Sequence, residues 1–160
     1  MRKEVIQYLK ENKITFKEHF HSPVFTVEQA RKQYTNIKGT HCKNLFLKDS
    51  VKQKYYLIVL NFDNNTSISE LRKTLNAKKL SFAKPEELKQ KLKLTPGSVS
   101  PFGLINDKTH EIILVINQKV WDSKTVSFHP NINTSTLELE KQEFHKIIKN
   151  FQNQLILIPV

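Results

Sequence analysis

The sequence predicts an α/β fold, a single domain in which helices surround one mixed β-sheet. Three observations support this class: 160 residues suit one domain, short branched or aromatic segments alternate with amphipathic ones, and no repeat, low-complexity tract or linker divides the chain. Apolar residues make up 38% and charged residues 26% of the sequence, as in ordinary soluble domains. We therefore expect residues 1–160 to form one domain.

The beginning of the chain predicts a helix, a strand and a second helix. Apolar residues recur at helical spacing over 3–13, and apolar and polar residues alternate over 14–20 as in a strand. Thr26 followed by Gln29 has the form of a capping box. This pair predicts a short helix over 27–34, entered from a loop.

The centre of the sheet is predicted by two aromatic and branched segments, 42–49 and 54–61, which favour adjacent strands. Ser67 with Glu70 repeats the capping-box pattern, and Pro85 suits the first turn of a helix. The other expected elements are a helix at 71–76, a strand at 78–83, a helix at 85–93, a strand at 111–117, a turn at 118–123, strands near 125–129 and 134–139, a helix at 141–151 and an apolar run at 155–160.

The chain carries a strong basic excess. It contains 26 lysine and arginine residues against 15 acidic residues, a formal net charge of +11. This balance favours a polyanionic partner, and RNA, DNA or an anionic membrane surface would each fit. A lysine-rich proteome gives many chains the same balance, so the charge alone does not choose the ligand.

Cysteine content and hydropathy predict the compartment. Cys42 is the single cysteine, so an intramolecular disulfide is impossible and a reducing compartment is expected. The first residues lack the apolar core of a signal peptide, and no later stretch approaches a membrane span. We therefore expect a cytoplasmic protein.

Common nucleophile and metal motifs are missing from the sequence: it has no GxSxG elbow, phosphate loop, HExxH motif or paired cysteines. His19 and His21 have strand spacing, which suits an exposed face as well as a metal, so no metal site is expected. Cys42 follows His41, but adjacent strand residues point to opposite faces and make a poor nucleophile and base pair. We expect a buried structural cysteine.

Lys43 and a glycine-containing loop are stronger candidates. Lys43 interrupts an apolar strand beside Asn44, and such a pair suits a phosphate or a carbonyl, although a solvated lysine is the simpler interpretation of the pattern alone. Two of the 3 glycines fall within 95–104 beside two prolines. This predicts a shaped loop whose N–H groups could face a water or an oxyanion, with a plain tight connection as the alternative. His129, before Pro130, suits ligand binding or a turn cap.

Four segments, taken in order, resemble the YbaK/ProX family of prolyl-tRNA synthetase editing-domain-like proteins. They are HSPVFTVEQA, GTHCKNLFLKD, LSFAKPEELKQKLKLTPGSVSPFGLIND and FHPNINTST, and together they extend over nearly the whole chain. The similarity is greatest to the free-standing, alanine-specific ProX/PrdX branch. The resemblance implies the mixed-sheet editing-domain fold and hydrolysis, without a cofactor or metal, of alanine wrongly attached to proline tRNA.

The resemblance also implies the site residues. Lys43 of the KN pair matches the family's central active-site lysine, and 97–101 matches its GxxxP loop. The loop backbone would bind the terminal adenosine and position the hydrolytic water, so Lys43, Gly97 and Ser98 are the expected catalytic residues. A neighbouring ribose hydroxyl of the tRNA would assist, and no covalent enzyme intermediate is implied. The expected substrate-binding residues are Thr26, Asn44, Leu45, Val99, Ser100, Pro101, Phe102, Gly103 and His129.

Two positions depart from the family pattern. Asn117 stands where relatives often carry an acidic residue, and we expect it to affect local bonding more than chemistry. Cys42 stands where a threonine is familiar, which again argues against a cysteine mechanism. Selection of alanine would rest on steric exclusion, since a pocket for a methyl group can reject a larger ring.

Together with the resemblance, the basic excess predicts a tRNA surface. We expect the basic residues before the glycine-containing loop to follow the acceptor stem, with a solvated helix face as the alternative. These residues are Arg72, Lys73, Lys78, Lys79, Lys84, Lys89 and Lys91. The expected partner is mischarged proline tRNA, with at most transient contact with prolyl-tRNA synthetase or an elongation factor. The alternatives are a deacylase for Cys-tRNA(Pro) or another mischarged tRNA, and a non-catalytic tRNA-binding module.

Overall fold

The computed structural model of the protein describes residues 2–33 and 35–159, and for Val27 and Gln33 the backbone alone. The first half contains α1 (Arg2–Glu11), β1 (Lys17–Phe20), α2 (Val27–Gln33), β2 (Thr40–Asp49), β3 (Lys54–Asn61) and α3 (Ile68–Thr74). The second half contains β4 (Leu80–Phe82), α4 (Pro85–Leu92), a 3-10 helix (Pro101–Asn106), β5 (Ile112–Asn117), α5 (Gln118–Asp122), β6 (Thr125–Phe128), β7 (Ser135–Glu140), α6 (Lys141–Phe151) and β8 (Leu155–Ile158).

The strands form one mixed sheet in the order β1-β7-β6-β2-β3-β5-β8, and β4 also pairs with β2. β3 pairs antiparallel with β2 and parallel with β5, which is parallel to β8. In β3, Leu57 and Val59 belong to one buried cluster, whereas Ile58 and Leu60 belong to another. A strand covered on both faces requires a continuous apolar run, which explains the segment YYLIVL. The mixed sheet with surrounding helices confirms the predicted fold class.

The middle of β2 has one edge that no described strand covers. β2 pairs with β6 through Thr40 and His41, and with β4 only from Leu47 onward. Between these contacts, residues 42–45 pair with β3 on one side alone, whereas Phe46 O also accepts a hydrogen bond from Ala83 N at 3.0 Å. An uncovered strand edge carries backbone polar groups that need other partners. This gap in the sheet is therefore a natural place for a binding cleft.

Local sequence patterns correctly predict the starts of three helices. Ser67 Oγ accepts a hydrogen bond from Glu70 N at 3.1 Å, and Glu70 Oε2 accepts one from Ser67 N at 3.3 Å, which completes the capping box of α3. Thr26 Oγ1 accepts from Gln29 N at 3.0 Å at the start of α2. Pro85 occupies the first turn of α4. Such caps depend on a few neighbouring residues, so sequence alone identifies them.

Two segments differ from expectation. The strand predicted over 14–20 begins only at Lys17, because Ile14 is buried in the core and its N–H closes the end of α1 by bonding to Leu9 O at 2.9 Å. Within residues 118–123, expected as a turn, Gln118–Asp122 form the helix α5, in which Val120 is fully buried. A helix of 5 residues is too short for apolar periodicity to predict.

The longest described helix, α6, is amphipathic. It buries Phe144, Ile147, Ile148 and Phe151 against the sheet and exposes its lysines. None of the helices in 2–33 and 35–159 is long and apolar enough to cross a membrane. After α6 the terminal apolar run forms the edge strand β8, where Leu157 is 39% exposed.

Candidate active site

A cleft of about 270 Å³ lies at the gap in the sheet. Its walls come from the loop before α2, the beginning of β2, the loop after α4 and the end of β6 with the residues that follow. The main lining residues are Val24, Phe25, Thr26, Ala30, Cys42, Lys43, Asn44, Phe62, Gly97, Val99, Phe128, His129 and Thr136. Segments distant in the sequence therefore meet in one small space.

Lys43 is the cation of this cleft. It lies on β2 opposite Leu60 of β3, and its half-buried ammonium group donates a hydrogen bond to the carbonyl oxygen of Asn64. Asn64 is held by hydrogen bonds from its own N–H to Asn61 O and from Thr66 N to its Oδ1. An ammonium group has three donors, so Lys43 keeps donors for a ligand.

Asn44 joins β2 to the glycine-containing loop. Its Nδ2 donates to Val99 O at 3.2 Å, and its buried Oδ1 has no hydrogen-bond partner among the described residues. Buried amide oxygens are usually hydrogen-bonded, and exceptions concentrate at functional sites. Leu45, by contrast, packs against the cluster on the other face of the sheet and does not line the cleft.

Gly97 provides the turn that brings the loop to the cleft. Its φ of +90° lies in the left-handed region that glycine tolerates best, and an added Cβ would lie 3.4 Å from Phe25 Cδ1. Ser98, next in the chain, bonds within the loop instead, because its N–H and Oγ both donate to Thr95 O. The structure therefore places Gly97 and Val99 at the cleft and the side chain of Ser98 behind it.

The remainder of the GxxxP loop supports the cleft from behind. Buried Ser100 donates from Oγ to Asn131 Oδ1 at 2.7 Å and accepts from Phe102 N at 3.1 Å, which caps the 3-10 helix that begins at Pro101. Gly103 is needed for packing, since an added Cβ would lie 2.8 Å from a methyl group of Leu94. Ser100, Pro101, Phe102 and Gly103 are buried and do not line the cleft.

His129 lines the cleft at the end of β6. Burial, and to a smaller extent the nearby His21, lowers the pKa of His129 to about 4. The ring is therefore neutral near pH 7. Its buried Nδ1 has no hydrogen-bond partner among the described residues. Thr26 also lines the cleft, although its hydroxyl oxygen caps α2.

Cys42 and His41 do not form a nucleophile and base pair. His41 Nε2 bonds to Ile37 O at 2.9 Å, and its ring lies 5.6 Å from the ring of Phe62. Burial raises the pKa of the Cys42 thiol, so this group stays protonated. No three His, Cys, Asp or Glu side chains come together as metal ligands within 2–33 and 35–159.

The basic residues expected to contact tRNA lie on α3, before β4 and along α4. The N–H groups of Lys78 and Lys79 bond to Asp49, at the opposite end of β2 from Lys43. Lys91 pairs with Glu111 at 2.6 Å. Their contact with tRNA stays a prediction.

Sequence reasoning missed a second group of charges beside the cleft. Arg31 pairs with Asp63, and Lys119 approaches the same carboxylate. No local pattern connects these residues because they come from α2, the end of β3 and α5. Only the folded chain brings them together.

Comparison with known proteins places the chain in a family. The aminoacyl-tRNA editing domain family matches residues 21–147. Prolyl-tRNA editing protein ProX of Acetoanaerobium sticklandii is 36% identical over 148 residues, which cover 92% of this chain and 90% of that protein. Prolyl-tRNA synthetase associated domain-containing protein 1 of Xenopus laevis is 32% identical over 162 residues, which cover 99% of this chain and 96% of that protein.

Solved structures share the fold at low sequence identity. A crystal structure of a hypothetical protein superposes with a TM-score of 0.73 at 18% identity, covering 95% of this chain and 96% of the other. A crystal structure presented as a candidate trans-editing enzyme for prolyl tRNA synthetase gives a TM-score of 0.72 at 14% identity, covering 97% and 94%. From the sequence match and the shared fold, the chain belongs to the aminoacyl-tRNA editing domain family and is an aminoacyl-tRNA deacylase.

Proposed function

We propose that the protein hydrolyses, in trans, alanine wrongly attached to proline tRNA. The observation that carries this proposal is the position of Lys43, which lines a small cleft together with Gly97 and Val99 and whose ammonium group donates to Asn64 O. The 36% identical relative named as a prolyl-tRNA editing protein supports the choice of proline tRNA. The cleft supports the choice of a small amino acid.

The reaction is ester hydrolysis with water as the nucleophile. Water attacks the carbonyl carbon of the aminoacyl ester, the bond from that carbon to the ribose oxygen breaks, and the ribose oxygen takes a proton. The products are alanine and tRNA with a free terminal ribose. The neighbouring ribose hydroxyl assists this proton transfer, so the substrate supplies part of the catalytic machinery.

Lys43 stabilises the negative charge that develops on the carbonyl oxygen. Its free N–H donors in a half-buried cleft act more strongly than they would in water. The backbone of Gly97 holds the terminal adenosine and the attacking water next to this oxygen. His129, neutral near pH 7, offers its Nδ1 to the substrate through a hydrogen bond.

Selectivity for alanine comes from exclusion of larger side chains. Val24 and Ala30 line the cleft and are almost fully buried, in a small apolar cluster with Ile37 and Phe62. A methyl group gains little binding energy here, but the ring of proline would have to displace packed atoms. Correctly charged prolyl-tRNA is therefore spared.

Single-turnover deacylation of alanyl, cysteinyl, seryl and prolyl proline tRNA tests the proposal. Native protein should release alanine fastest and leave proline attached. Lys43→Ala should lose about 100-fold or more of the rate, as when an oxyanion donor is removed. Lys54→Ala, an exposed lysine at the far end of the β2 and β3 pair, is the matched control and should retain the rate.

Each other outcome has a definite meaning. Preferred release of cysteine would replace alanine with cysteine as the substrate. Binding of tRNA without hydrolysis of any ester would favour a non-catalytic module. Full activity of Lys43→Ala would refute the role given to this lysine.

A further inference from the structure

A second cleft, of about 420 Å³, lies beside the first. The two clefts share His41 and Phe62, whose rings lie 5.6 Å apart and form a common wall. A ligand that fills the first cleft and continues past this wall therefore enters the second. The proposed substrate is a chain that must continue, because its terminal adenosine is joined to the preceding nucleotide.

The second cleft is positively charged. Arg31 and Lys119 line it, and Asp63 is the one carboxylate among its described lining residues. The pKa of Asp63 is lowered first by the hydrogen bond and charge of Arg31, then to a smaller extent by Lys119 and by Lys43 of the first cleft. Three cations thus act on one carboxylate, and the surplus charge favours an anion at the junction of the two clefts.

The ion pair in this cleft is open to exchange. The side chains of Arg31 and Asp63 are 52% and 70% exposed. An exposed pair contributes little stability, so a competing anion can take over the guanidinium group at small cost. A guanidinium group binds two phosphate oxygens in the same planar geometry that it uses for a carboxylate.

An amide completes the floor of the cleft. Asn61 lines it and accepts, at Oδ1, a hydrogen bond of 2.8 Å from Nδ2 of the fully buried Asn117. With its oxygen engaged, Asn61 has Nδ2 as its remaining side-chain group. Among the described residues this Nδ2 has no hydrogen-bond partner, so the floor offers a donor rather than an acceptor.

We propose that the second cleft binds the phosphodiester group on the 5′ side of the terminal adenosine, with Arg31 and Lys119 as its cationic partners and Asn61 Nδ2 as a neutral donor. This inference rests on the proposed function, since it places the terminal adenosine in the first cleft. Positive grooves that follow a single-stranded backbone next to aromatic side chains are a common way to hold nucleic acid ends. The cleft thus orients the tRNA end and brings the ester to Lys43.

The test compares two substrates, alanyl proline tRNA and alanyl-adenosine, which lacks the phosphodiester group. The variants are Lys119→Gln and Arg31→Gln, with Lys108→Gln as the matched control because Lys108 is an exposed lysine near the opposite end of β5. The ratio of single-turnover efficiency on tRNA to that on alanyl-adenosine should fall about tenfold in each cleft variant, as expected for loss of one charged hydrogen bond. The control should retain the native ratio.

Salt dependence gives a second readout. Each lost phosphate contact should reduce the slope of log affinity for tRNA against log salt by about 0.7, the value for single strands. Asp63→Asn removes the competing carboxylate and should change affinity in the opposite direction, to tighter binding. A fold defect cannot produce this gain, so the pair of opposite effects distinguishes electrostatics from misfolding.

The outcomes separate this inference from the proposed function. Unchanged substrate ratios and salt slopes in Lys119→Gln and Arg31→Gln would overturn the phosphodiester site, whatever the activity. If native protein hydrolyses neither substrate, binding of uncharged proline tRNA still tests whether the second cleft is a phosphodiester site. Weaker binding by both variants would then support the site while refuting hydrolysis of alanyl proline tRNA, and equal binding would overturn the site.

Discussion

The two ends of β2 hold their charged groups in opposite ways. At one end, the buried carboxylate of Asp49 accepts hydrogen bonds from the backbone N–H groups of Val51, Lys52, Lys78 and Lys79 at 2.8 to 3.2 Å. About 20 Å away, by the rise per residue of a strand, lies the lysine of the first cleft. That end contains an ammonium group with spare donors, together with the buried Asn44 Oδ1 and His129 Nδ1, which have no hydrogen-bond partner among the described residues.

This difference distinguishes a structural site from a functional one. Burial alone would raise the pKa of Asp49, yet the four N–H donors outweigh burial and lower the pKa to about 2. Its hydrogen-bonding capacity is used within the protein, so it is not available to a ligand. The cleft around Lys43 keeps hydrogen-bonding capacity in reserve, which a substrate can use.

The largest expected effect is a separation of stability from activity between the two ends. Asp49→Ala leaves buried N–H groups without an acceptor and should lower the free energy of unfolding by about 3 kcal/mol. Lys43→Ala should change it by less than about 1 kcal/mol while abolishing deacylation. Urea unfolding followed by Trp121 fluorescence, with single-turnover assays, measures both. Equal destabilisation by both variants would contradict the comparison.

The pH dependence of stability sharpens the comparison. The pKa of Asp49 is lowered in the folded protein. Its carboxylate therefore stabilises the fold above the unfolded pKa of about 4, and this stabilisation disappears as the pH falls towards 2. The pKa of His129 is also lowered, but for a histidine this makes folding less favourable as the pH falls from about 6.5 to about 4.

His129→Asn should therefore flatten the stability profile between about pH 6.5 and pH 4, by up to about 3 kcal/mol. Urea midpoints across this range give the measurement. His110→Asn, at an exposed position, is the control and should leave the profile unchanged. A native profile in His129→Asn would show that this ring does not have the lowered pKa.

Gly97→Ala should affect the reaction more than the fold. A side chain at φ +90° is strained by about 1 kcal/mol, and the added Cβ would contact Phe25 at the mouth of the cleft. We expect this small loss of stability together with at least a tenfold lower deacylation rate. Gly103→Ala is the comparison variant for stability. Its added Cβ would overlap with Leu94, which should lower the free energy of unfolding by about 1 to 3 kcal/mol. If the deacylation rate of Gly97→Ala falls only in proportion to the fraction of protein that is unfolded, the role given to Gly97 is contradicted.

The smallest effect is expected at a helix cap that lines neither cleft. Ser67→Ala removes the acceptor for Glu70 N and should cost about 1 kcal/mol. The deacylation rate should stay at the native value, because α3 does not line either cleft. Thermal unfolding and the same assay check this. A change in rate would show that α3 contributes to the site.

The helices and strands were largely predictable, and part of the site was too. Strand periodicity, the cap at Ser67 and the proline of α4 depend on neighbours in the sequence, and the structure confirms them. The resemblance singled out Lys43 and Gly97, which do meet in the cleft. Ser98 matches the same motif, but a motif does not state which way a side chain turns, and its hydroxyl bonds within the loop.

By itself, the sequence determined the α/β class and the order of most elements, because these follow from patterns that neighbouring residues carry. Its resemblance to a known family singled out the lysine and the loop of the candidate site. Only the tertiary structure decided that β2 has an uncovered edge, that His41 and Phe62 divide two clefts, and that Arg31 and Lys119 line the second cleft together with Asp63. The physical reason is that these contacts join distant segments, and their geometry is set by how helices and strands pack rather than by any local spacing of residues.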